Sequence, residues 1–254
     1  MSPEFIDCRC FFAVTLLILL LKRRSFIMCK YKTIGILGGM GPEASADLYL
    51  RIIQFFQKEY GAIYDSDFPE IIIVNLPIPD VVEHPREENK VREMLINAVK
   101  KLERSGADFI AIPCNTVTYY FSEMQNAVSI PIINIIQETT NEVLKSGIKK
   151  VGLLGTEMTI KSNIYTNVLK NIQILTLNET EQKETTKIIL NIMVGKKSDK
   201  DREKLTQFIQ KLKDLGAEKV ILGCTELPLA IKNNFDVLDT LEILAKSTVE
   251  RAIK

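Results

Sequence analysis

An α/β fold in two pseudo-symmetric halves is predicted by three observations on the 254-residue sequence. Short β-rich runs alternate with longer helix-like stretches, the pattern of parallel sheets covered by helices. The strand-like runs are apolar almost throughout, as in strands buried on both faces. The chain also repeats itself: "LERSGADFIAIPC" (102–114) lies over "LKDLGAEKVILGC" (212–224) at a constant offset of 110 residues, with Leu, Gly, Ala and Cys coinciding. Each half is therefore expected to be Rossmann-like, a mainly parallel four-stranded sheet flanked by helices. Ligands of such sheets sit at the carboxyl ends of strands, so the site is expected in the cleft between the halves.

The elements can be read off in order. Strands are expected at 33–39, 70–76, 108–114, 131–135, 150–155, 173–177, 219–224 and 236–240. Helices are expected at 42–59, 86–105, 116–127, 138–146, 160–170, 180–194, 200–215, 226–233 and 240–253. Gly106 after "KKLERS" and Gly216 after "KLKDL" are placed as C′ glycines, where a left-handed residue ends a helix. The first domain is expected at 28–130 and the second at 131–254, with the helix at 240–253 free to pack back on the first.

Residues 1–27 read as an apolar N-terminal extension outside the core fold. Its run "FFAVTLLILLL" (11–21) has 11 residues, whereas a helical membrane span needs roughly 20. Acidic residues precede it, "KRR" follows it, and no small-residue cleavage site appears, which fits a signal peptide poorly. A short helix packed on the body or on a partner and a membrane anchor are the other readings. The formal charge of +1 gives no electrostatic reason to expect nucleic acid or an anionic membrane as partner. The single histidine, His84, is read as a loop residue, so neither a histidine metal site nor a Ser-His-Asp triad is supplied. Five cysteines without a CxxC suggest a reduced, cytosolic protein.

Two of those cysteines carry the chemistry. "AIPCNT" (111–116) and "ILGCTE" (221–226) each end an apolar run in Cys and two polar residues. A cysteine there begins a strand-to-helix turn, where backbone N–H groups and the helix dipole favour negative charge. That placement is expected to lower a thiol pKa from ~8.5 towards neutrality. Cys114 and Cys224 on opposite walls of a cleft suit proton transfer at carbon, one thiolate removing a proton while the other thiol donates one. The outcome is inversion at that carbon without a cofactor or metal.

Two further stretches are informative. In "GGMGPE" (38–43), the glycines permit a tight turn and close approach to a ligand, Pro42 suits the first helical position and Glu43 the first turn. The spacing is not G-x-G-x-x-G and no acidic residue closes the second strand, which argues against a dinucleotide. A small carboxylate held on backbone N–H groups is expected instead. In "LLGTEMTIKSNIY" (153–165), Thr159 is expected as the N-cap, placing Lys161 in a first helical turn, from which it reaches an anionic substrate side chain.

Together GGMGPEA, the strand ending PCNT, TIKS and LGCTELPL resemble the aspartate/glutamate racemase family, specifically its aspartate racemase branch, over about residues 33–250. The resemblance implies a two-domain α/β isomerase, free of pyridoxal phosphate and metal and usually a homodimer, that interconverts the L- and D-forms of an acidic amino acid. Aspartate is favoured, with glutamate or a broader range open. It implies Cys114 and Cys224 as the acid/base pair, Cys114 serving the D- and Cys224 the L-enantiomer. Met40, Asn115, Thr116 and Thr225 would hold the α-carboxylate and amino group, and Lys161 the distal carboxylate. Glu226 stands where glutamate racemases usually carry His, as it does in aspartate and broad-range racemases. Two departures bear on the substrate. Val81 replaces an arginine common in aspartate racemases, for which Arg86 is a substitute from the loop, and Thr118 replaces a His. Decarboxylation or cis–trans isomerisation of small diacids, and non-catalytic amino-acid binding, are the alternative functions on this scaffold.

Overall fold

The computed structural model describes residues 31–79, 87–231 and 236–253. The expectations for residues 1–27, Val81, His84 and Arg86 lie outside them. The first sheet contains β1 (Ile34–Gly38), β2 (Ile71–Asn75), β3 (Phe109–Ala111) and β4 (Ile132–Ile133) in the order β2-β1-β3-β4. The second contains β5 (Lys150–Leu154), β6 (Gln173–Leu175), β7 (Lys219–Leu222) and β8 (Val237–Asp239) in the order β6-β5-β7-β8. Every pairing is parallel, and β3 and β7 hold equivalent places in their sheets. All five residues of β1 are buried, which accounts for its unbroken apolar run.

Helices fill the crossovers. The first half has α1 (Pro42–Tyr60), α2 (Glu88–Arg104), a 3-10 segment (Thr116–Tyr120) continuing into α3 (Phe121–Asn126), and α4 (Ile135–Lys145). The second has α5 (Glu157–Lys161), α6 (Glu179–Met193), α7 (Asp199–Asp214), α8 (Leu227–Ala230) and α9 (Thr240–Ile253). Gly106 and Gly216 follow α2 and α7 at φ 98° and 99°, as C′ glycines do. α4 starts earlier than expected because the Asn134 side chain accepts the N–H groups of Ile136 and Gln137, two donors the helix itself leaves unpaired.

Three readings of the sequence are corrected. The helix expected over 160–170 is one turn that ends at Lys161. Asn163 follows at φ 54°, a left-handed conformation that asparagine tolerates and a continuing helix does not. Its N-cap is Thr156, whose Oγ1 accepts the N–H of Thr159 at 3.1 Å, so Thr159 lies inside the helix. The division expected between residues 130 and 131 falls within the first sheet, because β4 pairs with β3.

A central core is shared by both halves. It packs Ile34, Ile36 and Phe109 of the first sheet with Val151, Leu153 and Ile221 of the second. α9 belongs to this layer although it follows the last strand of the second half. It packs on α1 and α4 of the first half, and the Lys32 N–H donates to its Ala252 carbonyl at 2.8 Å. The outer faces are covered separately, by α2 on the first sheet and by α6 and α7 on the second. Among the described residues no helix is long and apolar enough to cross a membrane. Leu244 of α9 is fully buried in the central core, so Leu244→Ala is expected to lower stability by about 2–5 kcal/mol. Urea unfolding measures this, and a loss below about 1 kcal/mol would mean that α9 is not part of the core.

Candidate active site

β3 and β7 end facing one another, and their continuations meet over a cavity of about 300 Å³. Met40, Cys114, Asn115, Thr116, Cys224, Thr225 and Glu226 all line it, so seven of the eight residues singled out in the sequence converge there. Both cysteines are free and buried. The size is at the lower end of ligand sites, suited to a molecule of amino-acid scale.

Hydrogen bonds across the two halves hold the walls. Asn115 donates from Nδ2 to Thr240 Oγ1 at 3.1 Å, and its Oδ1 accepts from the Tyr165 hydroxyl at 2.7 Å. The Thr225 hydroxyl lies 3.1 Å from the Pro113 carbonyl, to which it donates. Thr116 and Thr159 share a hydroxyl contact of 3.4 Å. Outside the cavity wall, Lys197 pairs with Glu43 in the first turn of α1.

Glu226 is the centre of this network. Its Oε1 accepts the Gly41 N–H at 3.1 Å, and its Oε2 accepts the Cys224 thiol at 2.9 Å and lies 3.3 Å from the Thr225 hydroxyl. The carboxylate held by the glycine turn is thus the protein's own side chain, where the sequence pointed to a ligand. A Cβ at Gly41 would stand 2.8 Å from Glu226 Oε1, so a larger residue there would displace the carboxylate from this contact. Gly39, at φ 98°, brings its Cα so near Leu76 that a Cβ would lie 2.6 Å from backbone atoms.

The electrostatics reverse the expectation for the thiols. Backbone N–H groups of Thr116 and Val117 do point at Cys114 and favour its thiolate, but burial outweighs them, and the Cys114 pKa is pushed up to about 12. Burial, and then the Glu226 carboxylate that accepts its proton, raise Cys224 well above the ordinary thiol range. Burial also raises Glu226 itself, against the hydrogen bonds it receives from Cys224, Gly41 and its neighbours. Desolvating an anion here costs more than the start of a short helical segment returns.

Lys161 is not brought to the cavity. It stands in the last turn of α5, is 73% exposed and pairs with Glu157. A cation at that end of a helix complements the dipole, the reverse of the arrangement expected. Gly39, one of the glycines expected to approach a ligand, also lines the cavity, whereas Ile78, Pro79, Thr156, Leu190, Met193 and Val194 escaped sequence reading. Leu190, Met193 and Val194 follow helical spacing along α6 and just past it, so in sequence they look like core. The signal present was an α6 apolar on two faces, since Ile188, Ile189 and Ile192 already supply its buried side. Thr118 reaches the Cys114 carbonyl with its hydroxyl at 3.4 Å. Among the described residues no group of three or more His, Cys, Asp or Glu could hold a metal.

The relatives place this pair of four-stranded parallel sheets, with two cysteines at one cavity, among isomerases of the racemase type. The profile of the Asp/Glu/Hydantoin racemase family matches residues 37–248, and the chain belongs to that family. It is 33% identical to the broad specificity amino-acid racemase RacX of Bacillus subtilis over 85% of this chain and 96% of that one. An aspartate racemase homologue from Pyrococcus horikoshii superposes with a TM-score of 0.72 at 33% identity, over 88% of this chain and all of that one (100%). The Picrophilus torridus aspartate racemase superposes at 0.76 with 30% identity, over 86% and 93% of the two chains.

The raised thiol pKa values have a direct consequence. Alkylation of Cys114 by iodoacetamide, followed by site-resolved mass spectrometry, is expected to accelerate about tenfold per pH unit up to at least pH 10, because only the thiolate reacts. A plateau near pH 8–9 would show an ordinary thiol pKa and contradict the burial effect.

Proposed function

We propose that this protein racemises an α-amino acid through a two-cysteine acid/base mechanism without pyridoxal phosphate or metal. The observation that carries the reading is the convergence of Cys114 and Cys224 on one cavity from equivalent strands of the two halves. The substrate α-carbon sits between the sulfurs. One thiolate takes its proton, the electron pair remains on the α-carbon and is delocalised into the carboxyl group, and the opposite thiol returns a proton to the other face. Cys114 acts on the D- and Cys224 on the L-enantiomer. One turnover leaves the two sulfurs with exchanged protonation states.

The high thiol pKa values are matched to this task by the substrate. Apart from the two thiols, the described lining residues carry one ionisable group, Glu226, and no cation. A bound amino acid brings its own ammonium into the desolvated cavity, where an opposite charge lowers a thiol pKa. Glu226, already accepting the Cys224 proton, is the relay through which that thiol ionises. Asn115, Thr116 and Thr225 offer hydrogen bonds to the α-carboxylate and ammonium. A reducing, cytosolic setting and a homodimer belong to the same proposal, the former supported by both thiols being free. The acidic side chain expected of the substrate, aspartate foremost, loses the support of Lys161, which the sequence assigned to it.

Cys114→Ser and Cys224→Ser are each expected to reduce racemisation at least about 10²-fold, since one base cannot serve both faces. Circular dichroism of substrate solutions reads the rate, and wild-type racemisation by either variant would exclude the two-base assignment. Glu226→Gln separates its two effects. It removes the charge that raises the Cys224 pKa, so that thiol alkylates faster at a given pH. It also removes the proton acceptor, so kcat falls by about 10²-fold. If alkylation and turnover change in the same direction, Glu226 is not in the proton path.

A further inference from the structure

The lining of the cavity divides by chemistry according to the elements that supply it. The strand ends bring the two thiols and the hydrogen-bonding groups of Asn115, Thr116, Thr225 and Glu226. α6 and the residue after it bring Leu190, Met193 and Val194, and the first half adds Met40, Ile78 and Pro79. On the racemase reading, on which this inference rests, the α-carbon must touch both sulfurs, and its carboxylate and ammonium take the polar groups. The substrate side chain is then left to the apolar portion of the wall.

The geometry points to an α-amino acid with an uncharged, apolar side chain, seated against Leu190, Met193 and Val194, as the preferred substrate over aspartate or glutamate. Three observations carry this. Among the described lining residues there is no lysine or arginine to meet a distal carboxylate. The one carboxylate in the lining, Glu226, is 4% exposed, and a distal carboxylate would add a further negative charge to the desolvated space that already holds the substrate's α-carboxylate. Met193 and Val194 are 40% and 68% exposed, although Ile188, Ile189 and Ile192 of the same helix are buried. Apolar side chains left open at a cavity gain contact when an apolar ligand covers them.

Among the described residues α6 has no counterpart between β2 and α2 of the first half. The apolar wall on α6 lies apart from the strand ends that carry the cysteines. It can set side-chain preference without disturbing the cysteine pair, making Leu190, Met193 and Val194 specificity-determining residues.

The test measures α-deuterium exchange in D2O by NMR, using the full chain with L-alanine, L-leucine, L-methionine, L-aspartate and L-glutamate. The best neutral substrate is expected to exceed aspartate and glutamate in kcat/KM by at least about tenfold. Met193→Lys, at an exposed position, is expected to lower KM for aspartate and raise it for leucine or methionine, shifting the kcat/KM ratio at least about tenfold towards aspartate. Exchange of aspartate or glutamate ahead of every neutral amino acid overturns this assignment and leaves the racemase reading intact. An unshifted ratio in Met193→Lys overturns the role of the α6 wall. No exchange with any of the five, by protein shown to be folded, removes the racemase reading and this inference with it.

Discussion

One hydrogen-bonded carboxylate ties the site together. Glu226 belongs to the second half, receives a backbone N–H from Gly41 of the first and a thiol from Cys224 beside it. Each contact constrains something remote from it. The approach to Gly41 leaves little room for a Cβ and needs a tight turn after β1, which explains the glycines there more directly than ligand binding does. The contact with Cys224 fixes the direction in which that thiol can lose its proton. Because Gly41 and Glu226 come from different halves, the arrangement exists only when the central core brings both sheets together.

Burial gives the site its electrostatic character. Isolated helical starts would favour thiolates, yet both sulfurs are held as thiols because the surroundings solvate an anion poorly. The empty cavity is consequently a poor base. On the proposed mechanism it becomes a competent one around a molecule that carries positive charge next to the acidic carbon, as an amino acid does. Thiols held protonated in this way give little opportunity for oxidation, since the thiolate is the reactive form.

The fold was legible in the sequence because its determinants are local and repeated. Short apolar runs locate the eight described strands to within a few residues, and the offset between Cys114 and Cys224 reveals the duplication. Convergence of the site followed from the rule that strand ends carry ligands. What escaped depended on tertiary surroundings. The thiol pKa direction turns on desolvation, which no spacing reports. Lys161 was misjudged by a local margin: capping by Thr156 rather than Thr159, with Asn163 in a left-handed conformation, moves it from the first turn of a helix to the last. Leu190 and Met193 share the periodicity of the buried side of α6, and only the packed structure separates core from cavity.

The return of α9 onto the first half also bears on how the protein is made. The apolar face of α1, with Leu48, Ile52 and Phe56, is covered in part by a helix that begins at Thr240, long after β4 at Ile132–Ile133 completes the first sheet. During synthesis at roughly 5–20 residues per second, that face waits on the order of ten seconds for its cover. The first sheet can assemble on the ribosome, but it cannot be sealed there until nearly all of the described chain has emerged. Exposed apolar surface over such an interval is what molecular chaperones bind, so the duplicated architecture carries a window of vulnerability that two independently closed halves would avoid.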